Sequence, residues 1–358
     1  MRTDLAVVIP AMNEETLIAR CIGSVIEAGI PAERIFVVDD ASTDSTPAVL
    51  EGISGINVLR NEHRCGKAGS VLRLIEYFGI IQRFTYVSLL DADSHVAPGY
   101  FAAVSRAFDG DPTAVLVCGG PRGMSYNYIT AFRTLEYYTS LLTYRKGQDR
   151  LGLITVAPGC ASTYKTSIVG ALDWHGGTLV EDMDLTIQIH RKRLGRVRYE
   201  TDAIVHTQDP RRIGEYVGQL TRWYSGAWQV MRRHRMPFGG QAIDLEFLLL
   251  AGEGLAYSLL VLAAPILAWM TPHAALRWLL LDQAVSLLTA AICATQLRRF
   301  DILMWFPTFI FLRVLGCGVW VRTFWLEIVR QRTLRTWFSV GRYDTDVRPA
   351  HHPRRSLA

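Results

Sequence analysis

Short apolar runs alternate with stretches of helical period through the first 240 residues of the chain. LAVVIPA (5–11) predicts a buried strand, and the stretch after it, through Glu27, predicts a helix. RIFVVDDAST (34–43) predicts a second strand, ending in acids and a turn. INVLRN predicts a third, KAGSVLRLIEYF a helix, and FTYVSLLDADS a fourth strand that again ends in acids. Strands alternating with helices imply an α/β fold with a doubly wound, mostly parallel sheet. In such sheets ligands bind beyond the carboxyl ends of the strands. Asp39-Asp40 and Asp91-Ala92-Asp93 both fall at those ends, which favours a site on that edge.

From residue 247 the pattern changes. FLLLAGEGLAYSLLVLAAPILAWM (247–270) is long enough to cross a bilayer core of about 30 Å. WLLLDQAVSLLTAAICATQ (278–296) and ILMWFPTFIFLRVLGCGVWVRTFW (302–325) are the second and third such stretches. Trp269, Trp278, Trp305 and Trp325 lie near their ends, as interfacial aromatics do. A buried helical bundle is the alternative, but three such stretches in succession are unusual for one. Topology stays open at this point. Three complete crossings from a cytosolic start would leave the Arg-rich tail outside, against the positive-inside tendency. Either one stretch is re-entrant or interfacial, or the third holds two short passes. Glu253, Asp282 and Arg313 lie inside apolar stretches, where ionisable groups face a partner or a polar cavity.

Bulk composition adds little. The chain has 358 residues, enough for one large domain or two units, and a net charge of +5. Its arginines gather beside the apolar region, in RRHR (232–235), RR (298–299) and the tail from Arg330, which suits a membrane surface rather than nucleic acid. The six cysteines show no CxxC or zinc spacing and read as reduced, mostly buried thiols. The opening MRTDLAVVIPAMNEE does not read as a signal peptide, so the first part is expected to fold in the cytosol.

The acids carry the candidate chemistry. Asp91 and Asp93 put two carboxylates on a turn after an apolar strand, suited to a hard divalent cation with positions left for phosphate oxygens. A solvated acidic turn is the plainer reading of DxD alone. Asp39, closing IFVVDD, is placed to accept a hydrogen bond from a nucleobase or ribose. Lys67 follows a glycine and opens a helix, where it can meet phosphate. Neither GxxxxGK[ST] nor a GxGxxG after the first strand is present, which argues against a P-loop or a dinucleotide enzyme. Glu181-Asp182 precedes an amphipathic helical stretch beside a glycine-rich turn, where a carboxylate could act as general base or merely favour the helix dipole; Asp184 fits the dipole role better. Gln219, Arg222 and Trp223, at i, i+3 and i+4, share one helix face.

VVIPAMNEE, VVDDASTDST, RNEHRCGKAG, LLDADS, APGCASTYK, VEDMDLT and QLTRW occur in an order and spacing that resemble family 2 inverting glycosyltransferases. The likeness is to the membrane-embedded processive branch, the hyaluronan, poly-N-acetylglucosamine, chitin and cellulose synthases, and covers about residues 4–240. The resemblance implies a GT-A-type sheet followed by interfacial helices and an α-helical transmembrane region. It implies a cytosolic catalytic domain over 1–210, a QxxRW interfacial region over 211–240, transmembrane helices over 241–330 and a basic tail over 331–358. Pro10, Glu14, Asp39, Lys67, Asp91 and Arg222 would bind the nucleotide sugar, and Asp91 and Asp93 would hold Mg²⁺ or Mn²⁺. Asp182 resembles the general base of the ED motif, with Glu181 supporting it. Gln219, Arg222 and Trp223 match QxxRW at the acceptor, and Gly159 and Cys160 would line the acceptor wall. Residues 125–147 resemble the first interfacial helix of the family. The implied partners are a UDP-sugar, a carbohydrate acceptor and the lipid bilayer of the cell membrane, with no nucleic acid. No hydrophobic segment precedes the catalytic part, VED stands for the TED of some members, and the membrane region is short, so an oligomer or a partner subunit is implied. Single-sugar transfer to a lipid or other acceptor is the rival reading, and a catalytically silent nucleotide-sugar-binding subunit is a third.

Overall fold

The computed structural model describes residues 4–335 and 341–343, so most of the expected tail (331–358) lies outside the described residues. Eight strands form one sheet: β1 (Leu5–Ala11), β2 (Ile35–Asp39), β3 (Asn57–Arg60), β4 (Tyr86–Leu89), β5 (His95–Val96), β6 (Ala114–Gly123), β7 (Ser162–Lys165) and β8 (Arg196–Thr207). Their order is β3-β2-β1-β4-β7-β6-β8-β5. The four strands expected from the alternation make the parallel half, β3-β2-β1-β4. Beyond β4 the sheet is mixed: β7 runs antiparallel to both β4 and β6, β8 is parallel to β6, and β5 is antiparallel to β8.

Both faces of the parallel half are covered, which is why its strands read as unbroken apolar runs. In β1, Leu5, Val7 and Ile9 pack into one core layer, while Ala6 and Val8 pack into the other. All five are buried, and each large side chain contributes about 1.5–3 kcal/mol of burial free energy. The loops after β1, β2 and β4 therefore emerge on one edge.

The stretch 125–147 forms the helix Tyr128–Thr139, its first turn closed by a capping box between Asn127 and Thr130, followed by a π-helical turn over Ser140–Arg145. QxxRW sits within the helix Ile213–Arg233. Three further helices are long and apolar enough to cross a membrane: Ala242–Met270, Pro272–Leu297 and Asp301–Val329. They enclose the three stretches expected at 247–270, 278–296 and 302–325. All six cysteines are free thiols; Cys21, Cys118, Cys293 and Cys317 are buried, and Cys65 is exposed.

Candidate active site

The site grows from the two acid-tipped strands. After β2, Asp39 and Asp40 face opposite tasks. Asp40 accepts the backbone N–H groups of Cys65 (2.7 Å) and Gly66 (2.8 Å) and the amide of Asn61. Burial works against its charge, but these donors hold its carboxyl below the usual range. Asp40 thereby fixes the start of the helix Gly66–Tyr77, where Gly66 takes φ +74°, a conformation that favours glycine. Asp39 is buried at the head of a cleft lined by Pro47, Leu50, Val58 and Arg60. It accepts the Ser42 N–H at 2.9 Å and lies 3.2 Å from Arg60 Nε.

That helix start delivers Lys67 to the second acidic cluster. Its ammonium lies 2.7 Å from Asp91 and 3.0 Å from Glu181, so one cation joins DxD to ED. Burial opposes the charge of Lys67, yet Asp91 and Glu181 outweigh it and keep its pKa well above the ordinary lysine value. Next to Glu181, Asp182 accepts the N–H of Gly159 at 3.0 Å and that of its neighbour Met183 at 2.8 Å. Burial first, then the Glu181 charge, raise the Asp182 carboxyl above the usual range, against the opposing pull of Lys67 and the two N–H donors. A Cβ at Gly159 would stand 2.8 Å from the Lys67 ammonium, so a side chain there would displace that ammonium from its place beside Asp91 and Glu181. The half-buried Cys160 follows, its thiol pushed up by burial and by the charges of Asp91 and Asp93.

Asp93 and Glu14 complete the cluster with a residue from the far end of the chain. Arg342 binds both Glu14 oxygens and places Nη1 3.0 Å from Asp93. Burial lifts the Glu14 carboxyl to about 7 despite Arg342. Burial also raises Asp93, with Arg342 opposing and Asp91 reinforcing the shift. Nothing in the sequence pattern singles out Arg342; an arginine in a basic tail reads as a surface charge, and its partner is 328 residues away.

The structure thus interlinks Glu14, Lys67, Asp91, Asp93, Gly159, Glu181 and Asp182, with Cys160 alongside. Pro10 pairs with Val38 within β1 and β2, one residue short of the strand end. The QxxRW side chains stand on the neighbouring helix. Arg222 reaches the Leu179 carbonyl at 3.5 Å, and further along the same helix Gln229 accepts the Leu179 N–H at 3.1 Å, so this helix grips the segment that leads into Glu181. Gln219 is buried, and the Trp223 ring lies under the Arg133 guanidinium, 4.6 Å from it. Arg133 belongs to a buried group with Tyr137 and Asp209 that the sequence did not reveal. Asp184 is more than a dipole acid: it is buried, 2.8 Å from His234 and 3.1 Å from Arg233, and ties the ED helix to the end of the QxxRW helix.

An acid-edged sheet of this order, carrying DxD beside a half-buried carboxylate pair, defines the class as a GT-A-type glycosyltransferase. Residues 6–172, a little under half of the chain, match the model of glycosyl transferase family 2. It is 26% identical over 230 residues to the poly-β-1,6-N-acetyl-D-glucosamine synthase of Staphylococcus aureus, covering 62% of this chain and 54% of that protein. The Staphylococcus epidermidis enzyme of the same name is 24% identical over 233 residues, with 63% and 55% covered. The chain therefore spans about half the length of these relatives. Among solved structures, a mannosyltransferase of Pyrobaculum calidifontis in complex with GDP-Man and Mn²⁺ shares the fold, with a TM-score of 0.59 and 20% identity over 91% of this chain and 88% of that one.

Proposed function

We propose that the chain is a membrane-bound inverting glycosyltransferase that moves a sugar from a UDP-sugar onto a growing polysaccharide or oligosaccharide. The observation that carries this reading is the bridge from Asp91 through Lys67 to Glu181, which joins a diphosphate–metal turn and a base motif in one ionic cluster. Residues 1–210 form the catalytic part on the cytoplasmic side, 211–240 the interfacial QxxRW region, and 241–330 the multi-pass membrane region of the cell membrane, followed by the tail.

Asp182 takes the proton of the acceptor hydroxyl. As that oxygen bonds to the anomeric carbon, the opposite bond to diphosphate breaks and its electron pair leaves on the nucleotide, which inverts the centre. A base held by two N–H donors is fixed in direction, and a carboxyl raised by burial is a stronger base than a solvated one. Glu181 keeps Lys67 beside it. Asp39 accepts from the nucleobase or ribose in its cleft, and Arg222, Gln219 and Trp223 close the site toward the acceptor, with Gly159 and Cys160 as its wall.

Asp91 and Asp93 fit Mg²⁺ or Mn²⁺: both are hard oxygen donors, and each already attracts a side-chain cation, Lys67 or Arg342. When bound, the ion would neutralise charge developing on the diphosphate. Single-sugar transfer is the second reading, favoured by a membrane region of three apolar helices among the described residues. The test is nucleotide release by detergent-purified protein across UDP-sugars with Mn²⁺, beside Asp182→Asn. Metal-dependent release with one or two donors, lost in the variant, supports the enzyme; a ladder of product lengths excludes single transfer. Silence with every donor counts against the UDP-sugar assignment.

A further inference from the structure

We propose that only the first two apolar helices cross the membrane, and that the third, Asp301–Val329, lies along the membrane surface on the catalytic side with its outer face in the lipid. The proposal rests on the membrane reading given above. A helix of 29 residues is about 44 Å long, and a bilayer core is about 30 Å thick. A crossing helix therefore carries one end far from whatever its other end touches. The third helix does not do this.

At its start, Ser125 donates to Asp301 at 2.9 Å, and Arg299 holds the same carboxylate while reaching Thr134. Midway, the Phe309 ring lies 5.1 Å from Phe132. At its end, Trp228 donates to Thr323 at 3.3 Å and Gln229 to Glu327 at 2.8 Å. Both supporting helices are tied to the catalytic unit: Tyr137 bonds Asp209 at 3.0 Å, and Arg233 bonds the Gly176 carbonyl. The third helix is thus fastened to that unit along its whole length. Past it, the chain puts Arg342 on Glu14 and Asp93, and Tyr343 donates to Glu215 at 2.6 Å. An odd number of crossings between residues 241 and 342 would leave those contacts on opposite sides of a bilayer.

The first two helices behave differently. Both feet of their hairpin rest on the catalytic unit, through Arg191 on Asp244 (2.5 Å) and Tyr138 on Gln296 (2.7 Å). The turn between them stands away, with Trp269 86% and Met270 65% exposed. On the third helix, Ile302, Phe309 and Leu312 are buried against the protein, while Met304, Phe311 and Trp325 are exposed. That outer stripe fits a leaflet, and the arginines around it, at 298, 299, 322, 330 and 332, fit anionic headgroups. Two crossings put all of them on the catalytic side, which removes the conflict with the positive-inside tendency.

The test uses the full chain in sealed vesicles, with an epitope at the N-terminus, between Thr271 and Pro272, or at the C-terminus. Both terminal tags are expected on one side and the turn tag on the other. A C-terminal tag opposite the N-terminal one, or a turn tag beside it, overturns the proposal. As a second readout, nitroxides at Met304→Cys, Phe311→Cys and Trp325→Cys in a Cys65→Ser background should report one shared shallow depth. A graded series of depths across the bilayer overturns it. Alkaline carbonate separates the two levels: protein released from the vesicles removes the membrane reading itself, whereas retained protein with terminal tags on opposite sides removes only this topology.

Discussion

Replacing Asp182 by Asn separates chemistry from folding. Asp182 accepts two N–H groups, one on each oxygen, from Gly159 and Met183. An amide keeps one acceptor oxygen, so one of these bonds is lost, at a cost of about 1 kcal/mol. Against that, the substitution removes a buried charge that burial and Glu181 already disfavour. Lys67 retains Asp91 and Glu181, so its own charge stays paired. The net change in stability is about 1 kcal/mol or less. Loss of a positioned general base costs about 10²–10⁴ in rate, or about 3–5 kcal/mol of barrier. The expected result is a kcat reduced by at least a hundredfold, with donor affinity and melting temperature nearly unchanged. Nucleotide release at saturating donor, with donor affinity by calorimetry, measures both. The wild-type kcat/KM should rise with pH as Asp182 ionises, at a pH above the usual aspartate value, and that limb should vanish in the variant. An Asn variant within tenfold of wild-type kcat refutes Asp182 as the base.

Three further perturbations test the cluster around it. In Lys67→Met, the three carboxylates Asp91, Glu181 and Asp182 lose their shared cation; a charge pair at 3 Å is worth about 5 kcal/mol at an effective dielectric of 20, and about 1–2 kcal/mol after allowance for partial exposure. Because Lys67 lowers the Asp182 pKa, the acid limb of kcat/KM should move to higher pH, and an unmoved limb would sink the assigned coupling. Arg342→Ala frees Asp93 and Glu14 from a competing cation, so the Mn²⁺ concentration for half-maximal release should fall roughly tenfold; a rise would show instead that Arg342 assists the donor. Glu14 has a folded pKa of about 7 against an ordinary 4.5, so its cost to stability is absent below 4.5, grows as pH rises, and is complete above 7, at about 3 kcal/mol. Glu14→Gln should therefore flatten the fall in melting temperature between pH 5 and 8, and a parallel curve would contradict the burial argument.

The parallel half of the fold was legible because buried parallel strands are continuous apolar runs punctuated by turns. β1 to β4 fall within the predicted stretches, as does the helix that follows β1, and the helix after β3 begins one residue ahead of its predicted stretch, at Gly66. The mixed half was not legible. β7 is the four residues Ser162–Lys165, STYK, polar enough to read as a turn, and it is a strand only because β4 and β6 flank it. The acids were visible as motifs, but the separation of Asp39 from Asp40 was not, since only the fold shows that one faces a cleft and the other caps a helix. Arg342 and the group around Arg133 depend on contacts between distant segments, for which local pattern carries no signal. The three apolar helices were evident from length and composition, yet their orientation was not, because hydropathy does not distinguish a lipid on one side from a lipid all round.

The charge balance of the cluster links these parts. Among the described residues, Lys67 pairs with Asp91 and Glu181 and Arg342 with Glu14 and Asp93, so five carboxylates, Asp182 included, gather around two paired cations. Burial raises the carboxyls of Glu14, Asp93 and Asp182, and the neighbouring carboxylates add to each shift. A bare nucleoside diphosphate would add negative charge to a site that already has too much, so on the proposed function a divalent ion and the donor enter together. Asp91 and Asp93 would hold that ion, whose charge would offset that of the diphosphate. Lys67, paired with Asp91 and Glu181 and close enough to Asp182 to lower its pKa, favours the ionised form of the proposed base. One ammonium thus serves both motifs, so a change at Lys67 should be felt at the metal turn and at the base alike.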